Sequence, residues 1–236
     1  MATKSTYHHG NLKPALITAA LKELAQEGLE GFSLRGVARR AGVSAPAVYR
    51  HFADKDALLA AVASECAARL ATTMTQAIAE APPDPLASFR AVGIALVRFA
   101  VANPEHFRAL SIPGLAERAP LPQREGERAW HEAQRRALVA AQKAGLIANV
   151  PIDDLILTAS CTINGLATAI IGGKLGKVDE ARATELAIAV TSVLGHGLAP
   201  RDTPWPDELR DAAAPKRTTS ASDGRTAKAR STPRKK

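Results

Sequence analysis

Hydrophobic positions recur at intervals of three and four along most of this chain, and apolar–polar alternation is scarce. Leu12, Leu16, Ala20, Leu21 and Leu24 form the first such face, with Asn11 as its N-cap and Pro14 in the first turn, where proline is tolerated. Gly28 and Gly31 are expected to stop that helix. Ser33 predicts the cap of a short helix carrying Leu34, Val37, Ala38 and Ala41, ended by Gly42. Val43 bridges to Ser44, the expected cap of another short helix from Ala45 to about His51. Asp54 opens a longer helix with Leu58, Leu59, Val62, Leu70 and Met74, unbroken to about Ala81 and roughly 38 Å long.

Pro82, Pro83 and Pro85 interrupt the pattern. Helices are expected beyond them at 86–102 and 104–111, followed by a Pro/Gly-rich loop from Pro113 to Pro122. A helix at 123–144 closes on Gly145, and two more follow at 153–172 and 179–196, capped by Asp153 and Asp179. After Pro200 the apolar bulk gives out, so residues 201–236 read as a disordered tail.

Composition supports helices packed on helices: 46% of residues are hydrophobic, only 4% aromatic, and alanine is abundant. Cys66 and Cys161 stand far apart and in no metal-ligand spacing, so neither a disulfide framework nor a metal site is expected, which fits a reducing cytoplasm. The longest apolar stretch, Leu155–Ile171, is broken by Thr158, Ser160, Thr162, Asn164 and Thr168; it reads as a buried helix, too polar to span a bilayer. With no apolar signal core at the N-terminus, a cytoplasmic location without a membrane partner is expected.

Charge is unevenly placed within the net +8: residues 1–55 carry +4, residues 212–236 carry +7, and the stretch between them sums to −3. A basic front and tail around a mildly acidic body point to an anionic partner, nucleic acid first of all.

The front holds the motif that uses it. Ser33–Phe52 reads SLRGVARRAGVSAPAVYRHF: two short capped helices joined by Ala41-Gly42-Val43-Ser44, the requirement of a helix-turn-helix. Gly42 supplies the positive φ of the sharp turn. Val37, Ala38, Val43 and Val48 face inward, while Ala45, Ala47, Tyr49, Arg50 and His51 are expected outward. Small residues permit close approach to base edges, and the larger ones reach phosphates.

The stretch Tyr7–Leu59 (YHHGNLKPALITAALKELAQEGLEGFSLRGVARRAGVSAPAVYRHFADKDALL) resembles the N-terminal domain of the TetR family of regulators. The resemblance implies an all-α homodimer: a three-helix helix-turn-helix DNA-binding domain, followed by a helical ligand-binding and dimerisation domain. It places Ser44, Ala45, Ala47, Tyr49, His51 and Lys55 against operator DNA; Ser33, Pro46 and Arg50 complete the expected DNA-facing set. Adjacent His8 and His9 match the family's opening and make a poor metal chelate. Gly36 departs from the family, which usually has a helix former there, at an expected cost of about 1 kcal/mol. The YHHGNL opening is similar to a branch carrying a C-terminal Trp-x-x-x-His-Gly signature; Thr162-Ile163-Asn164-Gly165 stands near that place without the Trp or His.

The expected organisation is an arm at 1–10, a DNA-binding domain at 11–55, a ligand-binding and dimerisation domain at 56–200, and a basic tail at 201–236. Helices in 153–197, rich in Ala159, Gly165, Ala167, Ala169, Ala181, Ala187 and Ala189, are suited to a two-fold four-helix bundle. A palindromic operator and a small apolar or weakly polar effector follow, the effector touching some of Phe89, Phe99, Phe107, Trp130, Cys161 and Asn164. Core packing or a subunit contact is the plainer role for those six. No cofactor is expected, and no phosphate loop, metal spacing or nucleophile elbow suggests an enzyme. A DNA-organising protein without an effector is the alternative, with an enzyme built on the C-terminal helices behind it.

Overall fold

The computed structural model describes residues 12–197; the arm, the Asn11 cap and the basic tail lie outside them. Among the described residues every regular element is helical: α1 (Leu12–Gly31), α2 (Leu34–Ala41), α3 (Ala45–Tyr49), α4 (Lys55–Glu80), α5 (Pro85–Ala102), α6 (Pro104–Leu110), α7 (Leu121–Lys143), α8 (Ile152–Ile171) and α9 (Glu180–Gly197). A 3-10 turn, Ala116–Arg118, lies in the loop before α7.

Local chemistry accounts for most boundaries. Ser33, Asp54, Asp84 and Asp179 each accept a backbone N–H from the first turn that follows, at 2.7–3.0 Å. Gly28, at φ 66° and ψ −174°, breaks the regular path of α1 in a region that only glycine enters easily. One expected cap is different. Pro151 takes the N-cap position of α8, and Asp153 falls in the first turn beside Asp154, where a carboxylate complements the helix dipole.

One core joins the N-terminal helices to the body. Leu16 and Leu24 of α1, Val37 of α2 and Val48 of α3 pack with Leu58, Leu59 and Val62 of α4. Ala109 of α6 and Leu115 and Ala119 of the following loop complete the same cluster, so the head's interior extends past residue 55. Cys66 is buried on α4, where desolvation pushes its thiol up to about 12, with Glu65 adding to the rise and Arg69 opposing it.

The body is organised around α5, which packs on α4, α8 and α9. Phe99 and Ala100 meet Phe107 of α6 and Ala167 of α8, while Val97 meets Ile163, Ile170, Ala183 and Ala187. By length and composition alone, Lys55–Glu80 and Ile152–Ile171 are each apolar enough to cross a membrane, so interruption by Thr and Ser does not exclude a span, contrary to expectation. Here α8 buries Ile152, Leu155, Ala159, Ile163, Ala167 and Ile170 within the protein.

That packing also corrects the expected role of the small residues. Ala159, Ala167 and Ala187 face the protomer's own interior, and Leu166 is half-buried against the same core. The outward faces of α8 and α9 instead present Leu157, Gly165, Ala181, Ile188, Ala189 and Val193. Leu157 is 61% and Val193 74% exposed, a large apolar surface for a polypeptide to leave in water.

Candidate nucleic-acid interface

The turn between α2 and α3 is closed by the backbone. Gly42 sits at φ 69° and ψ 28°, its N–H donates to the Arg39 carbonyl at 3.2 Å, and the Val43 N–H reaches the Ala38 carbonyl at 3.0 Å. Fully buried Val48 anchors α3 beneath this turn, with Val37 and Ala38 on the other side. The short reading helix is thereby held by a hydrophobic pin and a fixed turn.

Its outward side carries Pro46, Tyr49, Arg50 and His51, all exposed; Tyr49 is 53% accessible. Ser44 is also exposed, and although it occupies the cap position its side chain makes no capping bond, leaving the hydroxyl available. Together these residues offer hydroxyl donors, a guanidinium and an imidazole along one exposed ridge, the equipment for phosphate oxygens and base edges.

Other members of the expected set are placed differently. Ala45 and Ala47 are half-buried against the head core rather than fully outward, because so short a helix must pack part of each turn to stay in place. The Ser33 hydroxyl accepts the Gly36 N–H at 3.0 Å, so that oxygen already has an acceptor's role inside the head. Lys55 is half-buried, donating to the Leu29 carbonyl at 3.0 Å and lying 5.8 Å from the Phe32 ring centre.

Two cations lie outside the set that the motif marks. Arg35 and Arg39, one helical turn apart, are exposed on α2 and have no partner among the described residues. Their spacing of four in a short basic helix is the signal that could have found them. Arg40, their neighbour, is turned inward: its Nε and Nη2 donate to Glu23 Oε2 at 3.0 and 2.8 Å.

The expected effector residues do not come together. Phe99 and Phe107 are core side chains of one cluster, and Phe89 belongs to another with Leu138 and Leu155. Trp130 is half-buried, edge-on to His131 at 4.7 Å, with an indole N–H that is buried and unpartnered. Cys161 and Asn164 are exposed on the outward face of α8, and the Asn164 amide donates to the Ser160 carbonyl at 2.9 Å. Helical periodicity puts them on α8 correctly, but which way that face points depends on α5 and α9.

Among the described residues there are open clefts, and in two of them only Phe107 of the expected six is a lining residue. One of about 260 Å³ is lined by Arg128, His131, Glu132, Gln134, Arg135 and Ile156, and one of about 240 Å³ lies between Phe107 and Arg108 of α6 and the end of α8. Among the described residues no cluster of three or more His, Cys, Asp or Glu side chains could hold a metal ion.

The description "bacterial regulatory proteins, tetR family" fits residues 16–62, the segment that forms this head. This segment is a TetR-family domain. Over 66 residues it is 35% identical to the HTH-type transcriptional repressor AcnR of Corynebacterium efficiens, a match covering 28% of this chain and 35% of that protein. The chain thus matches about a third of that curated relative's length. Two solved structures extend the likeness through the helical body. A protein of unknown function from Rhodococcus sp. RHA1 is 34% identical, with a TM-score of 0.60 over 83% of this chain and 100% of that one. A TetR family transcription regulator from Marinobacter aquaeolei VT8, 22% identical, shares the fold with a TM-score of 0.64 over 80% and 96% of the two chains.

Proposed function

We propose that the chain is a homodimeric repressor that reads a near-palindromic operator with α3 and releases it when a small molecule binds the helical body. In this reading residues 11–55 are the DNA-binding domain, extended by the start of α4, and residues 56–200 bind the effector and the second subunit. The observation that carries it is the ridge of Ser44, Pro46, Tyr49, Arg50 and His51, exposed on a helix that Val48 and the Gly42 turn hold fixed. Arg35 and Arg39 beside it supply phosphate contacts.

The dimer is supported by the outward apolar faces of α8 and α9, which would pair across a two-fold axis. Two heads related by that axis read half-sites about 34–36 Å apart or a multiple of it. The effector would enter the body beside α7 and α8. The charged side chains around the larger cleft favour the weakly polar end of the small apolar or weakly polar molecule expected from the sequence. The YHHGNL opening supports a place beside the Trp-x-x-x-His-Gly branch, in a variant bearing Thr162-Ile163-Asn164-Gly165 instead.

Selection of duplexes from a random DNA library by the full-length chain tests the reading. Enrichment of a two-fold symmetric sequence is the expected result. Equal affinity for all duplexes would replace it with a DNA-organising role.

A further inference from the structure

Gly36 looks like a flaw in α2, a glycine inside a helix of eight residues. The structure gives it a purpose. A Cβ built on Gly36 would lie 1.7 Å from Glu23 Oε1 and 2.6 Å from its carboxyl carbon. Glu23, on α1, occupies that space with a side chain only 3% exposed. Its other oxygen, Oε2, takes both Arg40 hydrogen bonds, and Arg40 Nη2 also donates to Gln26 Oε1 at 2.8 Å. Three residues of α1 and α2 therefore interlock: the missing side chain of Gly36 admits the carboxylate, and the carboxylate holds Arg40.

A carboxylate at the end of a flexible side chain can usually move aside. This one cannot do so without surrendering Arg40, because burial leaves it no water to turn to. The interlock also removes one guanidinium from a run of three, leaving Arg35 and Arg39 as the exposed cations of α2.

We propose that Glu23 is a positioning residue of the reading head: seated in the gap at Gly36 and clamped by Arg40, it fixes α2 and the attached α3 against α1, and keeps Arg40 away from DNA. The inference rests on the DNA-reading function above. It concerns how the head is aligned, and it makes Gly36 and Glu23 a dependent pair.

The test is a thermodynamic cycle with Gly36→Ala, Glu23→Ala and the double variant, together with Glu23→Gln, all in the full chain. Urea midpoints read the packing. Gly36→Ala should lower the midpoint in the wild-type background and raise it in the Glu23→Ala background, where the gap is empty and alanine's helix preference acts alone. A rise in both backgrounds would overturn the interlock.

Affinity reads the positioning. The probes are the duplex enriched by the wild-type chain and a scrambled duplex of equal length, at temperatures where each variant is fully folded. Glu23→Gln should reduce the ratio of the two affinities about tenfold. It should also steepen the salt dependence on scrambled DNA by up to about one counterion, as Arg40 becomes available. An unchanged ratio and slope would reduce Glu23 to a packing residue and overturn the proposal. Failure of the wild-type chain to enrich any duplex would overturn the DNA-reading function itself, a result seen before any variant is measured.

Discussion

The Lys55 ammonium donates to the Leu29 carbonyl at 3.0 Å, tying the first residue of α4 to the end of α1. A lysine in this place invites a phosphate contact, yet its charge is engaged within the head, where the ammonium also lies 5.8 Å from the Phe32 ring centre. Lys55→Met should destabilise the fold by about 1–2 kcal/mol, since a charged hydrogen bond disappears and the Leu29 carbonyl keeps only water. Urea unfolding measures this. A midpoint equal to wild type, with weaker DNA binding, would return Lys55 to the phosphate-binding set.

Ser33 and Ser44 divide two roles between similar side chains. Ser33 caps α2 through the Gly36 N–H, and Ser44 makes no capping bond. Ser33→Ala should cost about 1 kcal/mol of stability. Ser44→Ala should leave stability nearly unchanged and weaken binding to the selected duplex. Parallel unfolding and fluorescence-anisotropy titrations separate the two, and equal stability losses would erase the distinction.

Arg50 and Tyr49 stand on the exposed ridge of α3 with no structural duty for their side chains among the described residues. Arg50→Ala should flatten the salt dependence of operator binding by about 0.9 in log–log slope, because one phosphate is no longer neutralised and keeps its counterion. Tyr49→Phe should weaken affinity without altering that slope. Circular dichroism of both variants should match the wild type. An unchanged affinity for Arg50→Ala would remove it from the interface.

In the proposed dimer the outward faces of α8 and α9 carry the subunit contact. Val193→Glu and Leu157→Glu place a charge on exposed apolar positions, and each should give folded monomers in sedimentation. Ala167→Glu, at a fully buried position beside Phe99 and Phe107, should unfold the protein instead. A stable dimer for Val193→Glu and Leu157→Glu together would place the subunit contact elsewhere.

Burial raises the Cys66 thiol to about 12 from its ordinary 9.0. The native state therefore disfavours the thiolate, so the stability this thiol contributes is present below pH 9.0 and declines as pH rises from there towards about 12. In native protein at pH 8 iodoacetamide should spare Cys66, as peptide mass mapping can read. A Cys66→Ser variant should lose less stability between pH 8 and 10.5 than the wild type does. Rapid native labelling of Cys66 would contradict its burial.

Much of this architecture is legible in the chain itself. Capping side chains, glycine stops and helical periodicity are local properties, so the sequence determined most helix boundaries and the helix-turn-helix without reference to distant residues. The Gly42 turn and the inward Val37, Ala38 and Val48 follow from spacing alone. Tertiary structure decided what those helices meet. Gly36 reads as a cost until Glu23, thirteen positions earlier, is found in its place. Ala167 reads as an interface residue until α5 and α6 cover it, and Cys161 and Asn164 read as pocket residues until α8 turns them outward. Periodicity tells which residues share a face, but a helix can roll about its axis without changing its sequence. Only its packing against helices remote in the chain fixes which face is buried, which charge is paired and which is left for a partner.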